Sequence, residues 1–305
     1  MSDSIDPGPT EDQVLAAVRA TGFLLEQEVA QVLVSDGFTA TVSRAFQDPD
    51  EGKSREVDVY GYKEVFRDDE VRTSFGVEII AECKNSTNPF IVIGRGSTAP
   101  SKRAERRWRV PEAAFWAGEN MGYPVPDRPG SNYKGSPWRW LGLGDLPGAL
   151  DSSDFVGSQL LRMQRVNGGW KADNNQIFDS VVLPMSKAMQ AFQKPRRNSS
   201  GRAFDQHSWA SGVVTFPLLV TPASIFRVDA DEDPVRAEQV PWVSVGRDLQ
   251  TKDFNGLFTM TVVNQGHLSD YINRQVLAFA RGSAEILSRN PTALTVREQF
   301  ELVVS

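Results

Sequence analysis

Apolar residues recur at helical spacing from about Thr21 to Asp36, where Leu25, Val29, Val32 and Leu33 share one face and Gly37 follows in the place of a C-capping glycine. The period then drops to two. The stretch "FTATVSRAF" alternates and is rich in β-branched residues, which predicts a strand, and the polar "QDPDEGKS" after it predicts a turn. A second strand is expected at "REVDVYGY", with Val57 and Val59 on one face and Glu56, Asp58 and Tyr60 on the other. The charged segment "KEVFRDDEVRTS" reads as a connection to a third strand, "FGVEIIAECK". The predicted order is therefore helix, strand, strand, strand.

From Asn85 to about Ala172 the chain is irregular, Gly/Pro-rich and aromatic, and contains Trp108, Trp116, Trp138, Trp140 and Trp170. A helix is expected at "VPEAAFWAGENM", and a stretch this long without a clear period reads as a functional or inserted segment. Beyond it, "NNQIFDSVVLPMSKAMQAF" predicts a helix bent near Pro184. Strands are expected at "GVVTFPLLVTP", "QVPWVSVG" and "LFTMTVVNQ", and a last helix at "LSDYINRQVLAFARGSAEIL". Residues 1–12 read as a flexible leader with Pro7, Gly8 and Pro9 as breakers. Residues 13–305 read as one α/β domain with a core of about 21–93 and 173–290 and a long Trp-rich insertion of about 94–172.

The composition, 40% hydrophobic and 24% charged over 305 residues, is that of a folded chain and disfavours wholesale disorder. The longest apolar run, "GVVTFPLLVTPASIF", falls short of a membrane span and holds two prolines. The acidic, Pro/Gly-containing start is unlike a secretion signal, and the single Cys83 fits a reducing compartment, so a cytoplasmic protein is expected. A net charge of -6 argues against nonspecific binding of polyanions. Charge is uneven, however: between Arg95 and Arg139 nine Lys or Arg stand against four acids. Within this segment Arg95, Lys102, Arg103, Arg106, Arg107 and Arg109 are candidate nucleic-acid contacts, with Trp108 available for stacking on a base. Lys194, Arg196, Arg197 and Arg202 form a smaller basic cluster.

The two charges that close the apolar run "IIAECK" need a physical reason. An acid followed two residues later by lysine occurs twice, at Glu51 and Lys53 and at Glu82 and Lys84. The first pair lies in a turn-forming segment and reads as solvated loop. The second ends a strand, whose period puts Glu82 and Lys84 on one face and Ala81 and Cys83 on the other. Burying such charges unpaired is costly, which implies a partner or a metal. Asp58 is the candidate partner, because an antiparallel turn between the second and third strands brings it near Glu82. Two facing carboxylates repel unless they share a cation, and hard oxygen ligands favour Mg²⁺ or Mn²⁺. A lysine beside them stabilises a developing phosphate oxyanion or helps activate water. Asp58, Glu82 and Lys84 together make a candidate phosphodiester-cleaving site.

This arrangement resembles the PD-(D/E)XK nuclease superfamily, the restriction-endonuclease-like fold, and especially its Mrr-like and related bacterial branches. "LLEQEVAQVL" looks like the first helix of that fold, "REVDVYG" supplies Asp58, and "EIIAECK" supplies Glu82 and Lys84. The resemblance covers about residues 21–93, and more weakly the helix at 175–193 and the strand at 213–221. No proline precedes Asp58, and the long stretch after Lys84 is not part of the minimal fold, so substrate choice does not carry over. The resemblance implies a central mixed sheet flanked by helices and a metal-dependent endonuclease acting on DNA, in bacterial defence or restriction. It further implies Mg²⁺ (or Mn²⁺) held by Asp58, Glu82 and the backbone carbonyl of Cys83, with Glu26, or alternatively Glu28, completing the shell and Lys84 assisting catalysis. A homodimer and a protein partner or activator are expected alongside. The alternative is a nuclease-like fold that binds or assembles without turnover, which the Trp-rich segment and the acidic balance suit.

Other chemistry is not indicated. Cys83 alternates away from Glu82 and has no activating base in view, so a buried thiol is expected. His207 and His267 match no metal spacing, no phosphate-binding glycine loop is present, and the glycines of "GLGDLPG" read as turns.

Overall fold

The computed structural model describes residues 8–96, 113–115, 122–124, 132–134, 138, 141–149, 155–199, 209–250 and 255–294. Helix α1 (Glu11–Thr21) starts inside the stretch expected to be a leader, because Thr10 and Gln13 cap each other reciprocally at its N-terminus. None of its residues is buried, which is why no apolar stripe announces it. Gly22, at φ +88°, ends α1 and begins α2 (Phe23–Ser35), so the helix expected from Thr21 starts two residues later. Only glycine takes that left-handed backbone cheaply. Leu25, Val29 and Leu33 of α2 are buried, as their spacing predicts.

Strands β1 (Thr39–Gln47), β2 (Ser54–Asp68) and β3 (Thr73–Cys83) form an antiparallel meander. The segment expected as a connection is mostly strand. β2 runs on to Asp68, Val65 and Phe66 pack against the core, and a turn of four residues suffices. Strand β4 (Phe90–Gly96) follows, then β5 (Ala113–Phe115), β6 (Gly122–Pro124) and β7 (Asn132–Lys134). Strand replaces the expected helix at Ala113–Phe115, and the rest of that helix falls outside the described residues. Next come β8 (Phe155–Val166) and β9 (Gly169–Asp173), then a π-helical turn, Phe178–Val182, that leads into α3 (Leu183–Ser199). The π turn lies just before Pro184, whose missing N–H cannot continue a regular helical ladder. The C-terminal half holds β10 (Ala210–Thr221), β11 (Ile225–Asp229), β12 (Ala237–Val240), β13 (Trp242–Gln250) and β14 (Asn255–Asn264). Helices α4 (Leu268–Tyr271) and α5 (Leu277–Arg289) close it, joined by a second π turn. Pro241 divides the expected strand "QVPWVSVG" into β12 and β13, which take different neighbours.

The chain is thus mixed α/β around one large mixed sheet, in the order β1-β2-β3-β10-β14-β13-β8-β4-β11-β12, with β5 on β10 and β9 on β8. A separate pair is formed by β6 and β7. The insertion expected at about 94–172 needs correction at both bounds, since β4 runs to Gly96 and β8 lies inside the sheet between β13 and β4. Helices cover both faces. Leu25, Val29 and Leu33 of α2 and Phe279 and Leu287 of α5 pack with Phe75, Val77, Ile79 and Ala81. Met185, Ala188 and Met189 of α3 pack on the other side with Ile80, Leu219 and Val262. Every residue of β10 is buried, as befits a central strand covered on both faces. Among the described residues no helix is long and apolar enough to cross a membrane.

Candidate active site

Strands β3, β10 and β14 run parallel, and their carboxyl ends, at Cys83, Thr221 and Asn264, lie along one edge of the sheet. Ligand sites of open α/β sheets form in such places, where strand ends and loops leave side chains free. The amide of Lys84 donates to the carbonyl of Val220 (2.9 Å), which fixes the end of β3 to the central strand. Asn85 Nδ2 donates to the carbonyl of Arg19 (2.6 Å), which ties the same end to the junction of α1 and α2.

The β2–β3 ladder pairs Tyr60 with Ile80 and Val59 with Ala81. One further step of that register would set Asp58 opposite Glu82. The backbone ladder stops there, and the N–H of Cys83 instead donates to Asp58 Oδ2 at 2.7 Å. On the other side of β2, Val42 pairs with Val59 and Arg44 with Val57, while Ser43 between them adopts φ +49°. A positive φ at a non-glycine residue stores strain, and here it faces Asp58 across the strand pair. Beyond this point the faces exchange. Val59 joins the core under α2, whereas Val57 and Phe46 join the core under α3, so the expectation that Val57 and Val59 share a face is corrected. A carboxylate in place of a backbone acceptor lets the two strands diverge.

Glu82 and Lys84 meet directly, with Nζ 2.6 Å from Oε1 and side chains 35% and 16% exposed for Lys84 and Glu82 respectively. Glu26 stands in the first turn of α2 and completes the group electrostatically. Burial, then the charges of Asp58, Glu82 and Glu56, push its carboxyl up from the ordinary range against the pull of Lys84. Burial also raises Asp58, opposed by the Cys83 N–H and by Lys84. Glu82 is raised by burial and by Asp58, again with Lys84 opposing. The alternative, Glu28, is engaged elsewhere, accepting a hydrogen bond from Gln265 Nε2. Three carboxylates that resist ionisation next to one ammonium suit a hard dication in charge and in donor type. Asp58 has committed one oxygen to Cys83, and among the described residues no three His, Cys, Asp or Glu side chains already sit close enough together to hold a metal. The carbonyl of Cys83 points to the same side of β3 as its N–H, hence toward Asp58, as strand geometry requires.

The remaining candidates separate. The Cys83 thiol is partly buried against the core, and burial followed by the charges of Asp58, Glu26 and Glu82 pushes it well up, which makes it inert as a nucleophile. Arg95 lies on β4 with Nε 3.5 Å from Asp231, an exposed ion pair. Lys102, Arg103, Arg106, Arg107, Arg109, Trp108, Arg202 and His207 lie outside the described residues, as do the side chains of Lys194, Arg196 and Arg197. His267 is exposed and 3.9 Å from Asp270. Glu51 and Lys53 pair with each other at 3.1 Å on the surface, the solvated loop their composition predicts.

Three buried ionisable side chains, Asp48, Lys187 and Glu78, escape the sequence reading. Asp48 is fully buried and accepts from Lys187 Nζ (3.1 and 3.2 Å) and Arg55 Nε (2.5 Å), which ties the β1–β2 turn to α3. Burial pushes its carboxyl up, but the amides of Glu51 and Asp50 with Lys187 and Arg55 outweigh that and hold it at about 2. Glu78, also fully buried, accepts from Tyr60 Oη (3.0 Å) and Thr215 Oγ1 (2.6 Å). Its signal was visible in the sequence: an acid mid-strand between Val77 and Ile79, two repeats of the strand before Glu82 and on the same face. No protein-family model, no curated protein and no solved structure matches the chain.

Proposed function

We propose that the chain is a metal-dependent endonuclease of the PD-(D/E)XK kind that hydrolyses phosphodiester bonds of DNA. The observation that carries this reading is the meeting of Asp58 with the Glu82–Lys84 ion pair at the carboxyl edge of a mixed sheet. Asp58 and Glu82, with the carbonyl of Cys83 and Glu26 as further oxygen donors, would hold Mg²⁺ (or Mn²⁺). Such an ion, when bound, neutralises phosphate charge and makes a bound water more acidic. Asp58 is oriented for this by the Cys83 N–H, and Glu82 by Lys84. The ammonium of Lys84 provides positive charge for the oxyanion that develops on phosphorus.

A role in bacterial defence or restriction, a cytoplasmic setting, action as a dimer and release by a protein partner belong to the same proposal. A lone, unregulated nuclease would endanger its host. The test is cleavage of DNA with Mg²⁺ or Mn²⁺ by the parent and by a Glu82→Ala, Lys84→Ala double variant; undiminished cleavage by the double variant contradicts the proposal.

One observation favours a second reading, a nuclease-like fold that serves as a binding or assembly module. Helix α1 buries none of its residues, and Val14, Leu15 and Phe23 are exposed. Tight binding of a protein partner with no metal-dependent turnover on any nucleic acid would mark this alternative.

A further inference from the structure

The hairpin of β8 and β9 carries charge and an aromatic ring that neither core uses. Arg165 pairs across it with Trp170, and Gln164 with Lys171. The Arg165 guanidinium lies 5.1 Å from the centre of the Trp170 ring, and Trp170 remains 50% exposed. Every residue from Arg165 to Ala172 is exposed. The hairpin presents Arg165 and Lys171, with Asp173 at its base, a basic arm on a chain whose net charge is -6. Its charge complements a polyanion: Arg165 shares the face of Trp170, Lys171 stands on the opposite face of the ribbon, and an exposed ring beside a cation is the feature on which bases of a nucleic-acid strand stack.

Its position is tied to the candidate site. Met163 donates its N–H to the carbonyl of Pro89 (2.8 Å), at the start of β4. Pro89 follows Lys84 by five residues, so the base of the hairpin lies at most about 18 Å from Lys84 along even a fully extended chain. Phe90 in turn donates to the carbonyl of Ser224 (3.0 Å), in the turn that leaves β10 just past Val220, the residue that holds Lys84. The end of β3, the end of β10 and the root of the hairpin therefore meet at one edge. Trp170 pairs with Arg165, two residues or about 7 Å beyond Met163, so at about 3.4 Å per nucleotide a strand of up to roughly seven nucleotides bridges Lys84 and the ring.

We propose that the β8–β9 hairpin is an arm that grips a nucleic-acid strand, with an unpaired base stacked on Trp170 and backbone phosphates on Arg165 and Lys171. The class of ligand rests on the function proposed above; the arm itself is tested without cleavage. Glu82→Ala protein in EDTA is titrated with a fluorescein-labelled oligothymidylate of about 20 nucleotides, longer than the roughly 4–16 that one strand-binding fold covers. Trp170→Ala weakens binding about tenfold, whereas Trp170→Phe, which keeps a stacking ring, retains most of the affinity. Arg165→Glu with Lys171→Glu weakens it at least tenfold and lowers the salt slope by about 1.4, the share of two phosphates on a single strand. Tryptophan emission is quenched on binding in the parent and much less in Trp170→Phe.

Parent affinity in both the Trp170→Ala and the charge-reversed protein overturns the proposal. So does a duplex bound as tightly as the single strand with no dependence on Trp170. The substituted side chains are exposed, and unchanged thermal melting confirms that folding is not the variable. A strand gripped through the hairpin but left uncut by the wild type with Mn²⁺ sinks the nuclease reading alone. Mn²⁺-dependent cleavage whose KM ignores the hairpin variants sinks the arm alone.

Discussion

The N–H of Cys83 donates to the carboxylate of Asp58 at 2.7 Å, so a side chain of β2 takes the place of a backbone acceptor where β2 and β3 part. The bond places an acid beside Glu82 before any ion is present. It also means that Asp58 has a structural duty that is separable from its charge.

That separation predicts different outcomes for two substitutions. In Asp58→Asn the amide oxygen still accepts from Cys83, and the raised, buried carboxylate is gone, so the variant is at least as stable as the parent at pH 8. Asp58→Ala leaves the Cys83 N–H without its acceptor and is less stable than Asp58→Asn by about 1–3 kcal/mol. Urea denaturation of the three proteins checks the order. Equal stability of the two variants would show that the bond contributes nothing.

The carboxylates also set opposite pH dependences. Glu26, Asp58 and Glu82 are raised in the fold, so their contribution to stability grows as pH falls from neutral through their raised values toward the ordinary carboxylate range of about 4. Asp48 is held at about 2, so its contribution is full above about 4 and is lost as pH falls toward 2. Stability should therefore peak in the mildly acidic range, and Glu26→Gln should flatten the neutral limb only. Denaturant midpoints collected across pH test both limbs. A profile that rises steadily to pH 8 would contradict the assignment.

Lys187 and Asp48 make the buried ion pair that anchors the β1–β2 turn to α3, with Asp50 also 3.1 Å from Lys187. Removing one partner leaves the other buried with weaker compensation, Asp48 with Arg55 or Lys187 with Asp50. Lys187→Met or Asp48→Ala is expected to cost about 3–5 kcal/mol, far more than Lys53→Ala on the exposed side of the same turn. Equilibrium unfolding gives the comparison directly, and a loss below about 1 kcal/mol for both would mean that water reaches the pair.

Much of this geometry is legible in the sequence. The buried face of α2, the alternation of β1 and the apolar run of β3 fix the order of the first elements, and antiparallel reversal puts Asp58 next to Glu82. What escapes has identifiable causes. Helix α1 buries nothing, so it has no apolar stripe to read. Strand β8 holds Gln159 and Arg162 where it pairs with β4 and Gln164 and Arg165 on the hairpin beyond, and these polar residues mask the strand period. Asp48 lies in "QDPDEGKS", where composition points to solvent, and only Lys187, far away in sequence, reveals that the acid is buried. The exchange of faces at Ser43 and Asp58 depends on a side chain standing in for the backbone, which no periodicity encodes.

The most direct test of the central claim is incubation of supercoiled plasmid with the wild-type chain and with Asp58→Ala, each with and without Mn²⁺. The proposed function predicts nicked or linear product only for the wild type and only with the ion. Equal cleavage by Asp58→Ala, or by the wild type in EDTA, would contradict it.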